Sequence, residues 1–375
     1  MRTAKIMQYI GLLLVLILCI STLSACVTGE KGEQGIQGEA GKDGETPYIG
    51  ENGNWWIGDK DTGISAKGEH NADNGLDYYP LPDGTYGVAV GRAIYLENIV
   101  IPDTYCGKAV TQIIDIGFNG CANLKTVTIP DSVTSIGESA FSGCASLTSV
   151  TIPDSVTSIG ERAFYGCGSL NSVTMGNSVT SIGYYAFKDC VSLASVHITD
   201  MASWCSIIFN GVPSNNPLYY AHNLYLNGAL VTELVIPDGV TSIYGSSFRG
   251  CTSLTSITIP DSVTSIGHAA FEGCANLTSI TIPDSVTSIG HGVFNGCSSL
   301  TSITIPDVTF IGGGVFDNCS SLTDVYYGGS VENWKNVGSH SPIPTSATLY
   351  FYSETQPTDT ANKYWHYVDG VPTEW

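Results

Sequence analysis

From about residue 96 the chain alternates apolar and polar positions in a pattern that restarts at a fixed interval, once for each of a series of evenly spaced cysteines. In the unit from Leu254 to Cys274, apolar side chains fall at Leu254, Ile257, Ile259, Val263, Ile266, Ala270 and Phe271. The Leu-x-x-Ile-x-Ile spacing has the two-residue period of a strand with one buried face. Pro260-Asp261 turns the chain, because proline has no N–H to give a ladder. Val263-Thr264-Ser265-Ile266 predicts a second short strand, Gly267 a bend, and Ala-Phe-x-Gly-Cys a helical turn stopped by Gly273.

Near-copies of this unit follow one another. Cys121, Cys144, Cys167 and Cys190 are equally spaced, Cys251, Cys274 and Cys297 repeat the same interval, and Cys319 arrives one position early because IPDVTFIG is shorter by one than IPDSVTSIG. One unit buries too little apolar surface to offset the ordering of its own backbone, so neighbours must stack into a continuous core. The pattern Leu-x-x-Ile-x-Ile-Pro-x-x-Val-x-x-Ile-Gly-x-x-Ala-Phe-x-x-Cys is similar to the BspA type of leucine-rich repeat, over about residues 96–327 and in eight in-register copies. The resemblance implies a leucine-rich-repeat solenoid, mainly β, with two short strands and a helical turn per 23-residue coil. It also implies an adhesin-like role in attachment to host matrix proteins and to other bacteria, without identifying the ligand.

Two departures interrupt the pattern. Met175-Gly176 replaces Ile-Pro, and the interval from Cys190 to Cys251 is longer than two regular units. The irregular insertion, about 197–232, adds Trp204, Tyr219 and Tyr220, and its beginning echoes DVYYGGSVENWKNV at 324, aligning Trp204 with Trp334.

Ahead of the repeats, Arg2 and Lys5 precede the apolar run GLLLVLILCI, a charged start and a hydrophobic stretch that read as an export signal over 1–25. The stretch is about half of the ~20 apolar residues a membrane span needs. Leu23-Ser24-Ala25-Cys26 resembles the lipobox of bacterial lipoproteins, which implies acylation of Cys26 and anchorage to the outside of the cell membrane, with the body exposed at the surface. In 26–47 glycine recurs at every third residue, a collagen-like period. No proline occurs before Pro47, so an extended charged spacer and a monomer are expected, with a trimer through this segment as the alternative. Residues 48–95 read as a Trp/Gly-rich module and linker in which Trp55 and Trp56 belong to a small hairpin or offer a platform for sugar. Residues 328–375 read as a variant repeat and a C-terminal cap, with Tyr364, Trp365 and Trp375 over the last coil; a ligand site is the alternative.

Charge removes some functions. The formal net charge is −20, and loss of Arg2 and Lys5 with the signal leaves 12 basic against 34 acidic residues, so nucleic acid is not an expected partner. Of 12 cysteines, Cys19 leaves with the signal and Cys26 is lipidated; eight of the remaining ten share one repeat position. Coils about 4.8 Å apart could be bridged on distance alone. Equivalent side chains point in parallel, however, so a buried ladder of free thiols is expected. A line of thiols is not a tetrahedron, and His268 with His291 has no evident third ligand, so neither a metal nor a cofactor is expected.

No nucleophile elbow, HExxH pair or distinctive carboxylate pair occurs, and serines such as Ser149, Ser256, Ser279 and Ser302 are interchangeable repeat positions. The outward strand positions carry mostly short hydroxyls, which offer few binding anchors. Binding energy is therefore expected where the repeat breaks: Tyr184, Tyr185, His197, Trp204, Tyr219, Tyr220, Tyr326 and Trp334. The expected function is a cell-surface binding protein for an extracellular protein ligand. A glycan-binding module using Trp55, Trp56 and the aromatic tail is the alternative, and a hydrolase requires an unrecognised site inside the insertion.

Overall fold

The computed structural model describes residues 48–49, 54–57, 60–65, 74–209, 215–337 and 343–375. The export segment, Cys26 and the Gly-x-y spacer lie outside them. Among the described residues no helix is long and apolar enough to cross a membrane. The chain divides into two compact units, 1–74 with 105–107, and 75–104 with 108–375. In the first, Tyr48–Ile49, Asn54–Ile57 and Lys60–Ser65 form an antiparallel three-stranded sheet that pairs Tyr48 with Trp56 and Ile49 with Trp55.

The second unit is a mainly β solenoid. Residues 75–95, read above as module and linker, are part of it, and the hairpin of Asp77–Pro80 and Tyr86–Ala89 joins one of its sheets. Each regular coil contributes a strand such as Ser149–Thr151 to one parallel ladder and a shorter one such as Ser158–Ile159 to another. The register advances by one repeat, Ser149 opposite Ser172 opposite Ser195, and Ser158 opposite Ser181. Val150 and Ile159 turn inward and Thr151 faces out, as the two-residue period requires. The Met175-Gly176 departure leaves the ladder intact, since Met175 N–H still donates to His197 O at 2.9 Å.

The third side of the coil differs from expectation. It is a string of turns rather than a helical one. Cys144 N–H closes back on Phe141 O at 3.1 Å, but Ser139, Phe141 and Gly143 send their N–H groups across to Glu161 O, Ala163 O and Tyr165 O, each at 2.7 Å. This crossing needs a left-handed residue two positions before each phenylalanine, and Ser139, Arg162 and Tyr185 have φ of 54°, 53° and 59° there. The helical alternative would satisfy these donors within the coil; here they bind coil to coil. Gly160 marks a close approach of neighbouring coils, since a Cβ on it would lie 2.6 Å from Glu138 N.

The core runs along the axis. Phe118, Phe141, Phe164 and Phe187 stack with ring centroids 5.2–5.3 Å apart, and Phe248, Phe271 and Phe294 continue at 5.5 and 5.9 Å after the insertion. Repeated hydroxyls also serve the stack. Ser155 Oγ donates to Val133 O at 2.6 Å and Thr157 Oγ1 to Thr134 O at 3.2 Å, each reaching back one coil.

Candidate functional site

The insertion replaces a coil with side chains. In a regular coil, Arg162, Phe164 and Gly166 donate their N–H groups to the next coil's Tyr184 O, Ala186 O and Lys188 O, all at 2.8 Å. One coil later the acceptors are side-chain atoms: Tyr185 N–H donates to Asn215 Oδ1 at 2.5 Å and Asp189 N–H to the Tyr220 hydroxyl at 3.0 Å. On the far side, Asn216 Nδ2 donates to Ser246 O at 2.6 Å and Ser247 O at 3.1 Å, and Trp204 Nε1 donates to Ser247 O at 3.0 Å. His222 Nδ1 stands 2.9 Å from Gly250 O. Asn215 and Asn216 are fully buried, and Asn216 Oδ1 also accepts from Leu218 N–H at 2.8 Å. The short helix Met201–Cys205, capped by Asp200 accepting from Ser203 N–H at 2.7 Å, sets Trp204 in the interior. The joint therefore supplies side-chain partners to backbone groups on both sides, with Tyr185 and Asp189 N–H on one side and Ser247 O on the other bonded where a regular neighbour would bind.

These contacts sort the aromatic residues singled out above. Trp204 is 1% exposed and its only donor is engaged on Ser247 O, so it has no surface to offer in this structure. Tyr184 at 49% and Tyr219 at 39% remain exposed. Tyr185 and Tyr220 are half-buried between them and the core. Tyr219 meets Tyr220 edge-on with centroids 5.1 Å apart. Burial raises the Tyr220 hydroxyl above its ordinary pKa.

Cations lie against the same rings. Arg162 stands 5.7 Å and Lys188 5.0 Å from the Tyr185 ring centre, Lys188 is also 5.9 Å from Tyr165, and Arg249 is 5.7 Å from Tyr219. Arg249 is fixed in turn by Glu272 at 2.6 Å. Burial lowers the Arg249 pKa and raises that of Glu272, each against the pull of the other's charge. A tyrosine ridge with cations against its rings thus runs along the third side of the coils and across the joint. Sequence reasoning missed Arg162, Tyr165, Lys188 and Arg249; the last three occupy the position directly after the repeat phenylalanine, which varies from copy to copy.

The remaining candidates lie elsewhere. His197 is on the strand ladder, stacked on Tyr225 at 4.8 Å with Nε2 3.0 Å from Ser195 Oγ. Tyr326 and Trp334 belong to the C-terminal end, Tyr326 stacked on Tyr350 at 5.1 Å and Trp334 edge-on to Tyr327 at 5.0 Å.

The cysteines have a further role. Cys121, Cys144, Cys167, Cys190, Cys205, Cys251, Cys274, Cys297 and Cys319 are free and buried; Cys106 is disulfide-bonded. The repeat thiols do more than fill space, since Cys167 Sγ donates to Phe141 O at 3.2 Å and Cys297 Sγ to Phe271 O at 3.3 Å, in the preceding coil. Burial pushes Cys167 and Cys205 up to about 12 and Cys251 and Cys319 up to about 11. Such thiols are inert rather than nucleophilic. Among the described residues no three His, Cys, Asp or Glu side chains converge as metal ligands. His268 and His291 meet edge-on at 5.3 Å, and His291 Nδ1 accepts from Gly313 N–H at 2.8 Å.

Residues 92–214 and 221–337 match the model of the BspA type leucine-rich repeat region, in six copies. The residues between the two stretches, 215–220, include Asn215, Asn216, Tyr219 and Tyr220 of the joint. No curated protein matches the chain. Similar solved structures include a T. pallidum leucine-rich repeat protein, 27% identical over 61% of this chain and 89% of that one, with a TM-score of 0.38. A leucine-rich cell surface protein from Faecalibacterium prausnitzii A2-165 is 24% identical over 72% and 98%, with a TM-score of 0.35. The pneumococcal vaccine antigen PcpA is 17% identical over 74% and 92%, with a TM-score of 0.42.

Proposed function

The chain belongs to the BspA-type leucine-rich-repeat family, repeat proteins that generally present protein-interaction surfaces, and on that footing we propose that it is an adhesin-like surface protein binding an extracellular protein through the tyrosine ridge. The observation that carries this reading is the exposure of Tyr184 and Tyr219 beside Tyr185, Arg162, Lys188 and Arg249. Tyrosine and arginine are the residues that dominate binding energy in protein interfaces, since they bury large area with few rotors to fix. The ridge cations are already held against rings, so ordering them on binding costs less.

Export and anchorage complete the proposal. They rest on the apolar run before residue 21 and on the Leu23 to Cys26 motif, with Cys26 acylated and the Gly-x-y segment acting as a spacer to the cell membrane. Host matrix proteins and the surface proteins of other cells are the partner class the reading supports.

The test is capture of matrix and cell-surface proteins by the full ectodomain, followed by affinity measurement with Tyr184→Ala and Tyr219→Ala. Each substitution is expected to weaken a true ridge partner by about tenfold, the size of an interface anchor. Unchanged affinity in both variants, with the fold intact by circular dichroism, refutes the ridge. Binding to glycan arrays with no protein captured would favour the sugar-binding alternative instead.

A further inference from the structure

At the C-terminal end the last strands gather a second set of rings. Trp365, 1% exposed, is the hub: Tyr326, Tyr352 and Tyr367 meet it edge-on with centroids at 5.6, 5.2 and 4.9 Å. Its Nε1 donates to Tyr327 O at 2.9 Å. Tyr350, stacked on Tyr326, has its hydroxyl held by the Glu374 carboxylate. The hub is thereby fixed, and two rings are left outside it. Tyr352 is 37% and Tyr367 47% exposed, with centroids 6.3 Å apart and planes tilted by 51°.

The C-terminal third of the chain, to which this pair belongs, is acidic. Residues 254–375 contain 11 aspartates and glutamates but only two lysines and no arginine. Asp284 is close enough for its charge to raise the Tyr367 hydroxyl pKa, after the larger effect of burial. Asp324 and Glu374 act in the same way on the neighbouring Tyr326. Of the two lysines, Lys335 lies on the helix Val331–Val337 and Lys363 pairs with Tyr350 in the sheet register. On the ridge, tyrosine faces are occupied by the chain's own Arg162, Lys188 and Arg249. Among the described residues no lysine or arginine of the chain covers Tyr352 or Tyr367.

Two splayed aromatic faces in a negative field suit a cation, because the ring quadrupole is negative on its face and the surrounding carboxylates add to the attraction. We propose that Tyr352 and Tyr367, with Asp284 alongside, form a second docking surface that takes an arginine- or lysine-bearing segment of a protein partner. This surface is independent of the ridge and does not rest on it.

The test uses the full chain and a synthetic peptide alternating glycine with four arginines, titrated by calorimetry at physiological salt. The matched neutral probe has citrulline at each arginine. The arginine peptide is expected to bind at least about tenfold more tightly than the citrulline peptide, as a cation held by two rings requires. The double variant Tyr352→Leu/Tyr367→Leu should lose about tenfold and Asp284→Asn about threefold, while Tyr184→Ala on the ridge keeps wild-type affinity. Because Tyr367 packs on Trp365, Tyr367→Phe provides the control for folding: it keeps the ring face and should keep the affinity. No binding of the arginine peptide, equal binding of the citrulline peptide, full affinity in the double leucine variant, or lost affinity in Tyr367→Phe would each overturn the proposal.

Discussion

Replacing Asn216 by aspartate tests whether the joint is held by side chains imitating a coil. The exchange is isosteric, so no cavity opens. It turns the Nδ2 donor, 2.6 Å from Ser246 O and 3.1 Å from Ser247 O, into an acceptor facing two carbonyls at a fully buried position. Ser247 O keeps Trp204 Nε1 and Ser246 O keeps the Arg249 N–H at 3.1 Å, so neither carbonyl is orphaned, but the loss of two buried hydrogen bonds costs about 1–3 kcal/mol. The new carboxylate adds several kcal/mol of uncompensated desolvation, and a total near 4 kcal/mol is expected at pH 7. In a solenoid, stability is a sum of coils and interfaces, so a loss of this size at one interface should split a single urea transition into two. Hydrogen exchange should assign the halves to either side of residues 215–220. The pH dependence has a defined sign. Burial raises the introduced carboxyl's folded pKa above its unfolded value of about 3.9, so the penalty is full above the folded value and fades as pH falls toward about 4. Asn223→Asp, at a part-exposed site where Nδ2 donates to Ala194 O, should cost under about 1 kcal/mol. A single transition with an unchanged midpoint in Asn216→Asp would refute the reasoning.

Three further outcomes follow from the coil geometry. Gly160→Ala should destabilise by about 1–3 kcal/mol, because its Cβ would meet backbone at 2.6 Å, whereas Gly168→Ala, with nothing within 4 Å, should be neutral or slightly stabilising by chemical denaturation. Ile116→Gly should raise stability by about 0.5 kcal/mol, since a β-branched residue at φ 55° gives up left-handed strain that outweighs the added chain entropy; a lowered midpoint would contradict it. The buried thiols, with Cys251 and Cys319 at about 11 and Cys167 and Cys205 at about 12, ionise first in the unfolded chain. Their stabilising contribution is complete below about pH 8.5 and falls as pH rises toward those values, so urea midpoints should drop between pH 8.5 and 11, and less in Cys167→Ala.

The solenoid was legible because its cause is periodic. Strand positions such as Val150 and Ile159, the turn at Pro-Asp and the inward phenylalanines recur in unit after unit, and repetition makes a weak local pattern specific. The third side was less so. Ala-Phe-x-Gly-Cys has the composition of a helical turn, and only the approach of the next coil decides that Phe141 N–H reaches Ala163 O rather than closing a helix. The same blindness affected Trp204. An unusual tryptophan in an insertion looks like an anchor, but its indole is consumed in satisfying Ser247 O, a partner far along the chain. Tyr184 and Tyr219 are exposed as their irregularity suggested, whereas Arg162, Lys188 and Arg249 gain meaning only from rings that other coils bring beside them.

Why anchors should gather at the joint follows from the repeat itself. Strand faces stacked about 4.8 Å apart, such as Ser149–Thr151 beside Ser172–Thr174, present a surface that is nearly the same one coil further along, so a partner bound to them has several equivalent registers and no single address. Many of the short side chains along those coils are also already engaged, as with Thr157 on Thr134 O and Ser155 on Val133 O, and a large ring there would displace a bond that holds two coils together. The joint escapes both constraints. It breaks the translation, and its hydrogen bonds run through buried Asn215, Asn216 and Trp204, which leaves Tyr184 and Tyr219 free to face outward. The buried polar groups keep the solenoid continuous so that the exposed rings can be singular, and a singular surface is what discrimination between partners requires.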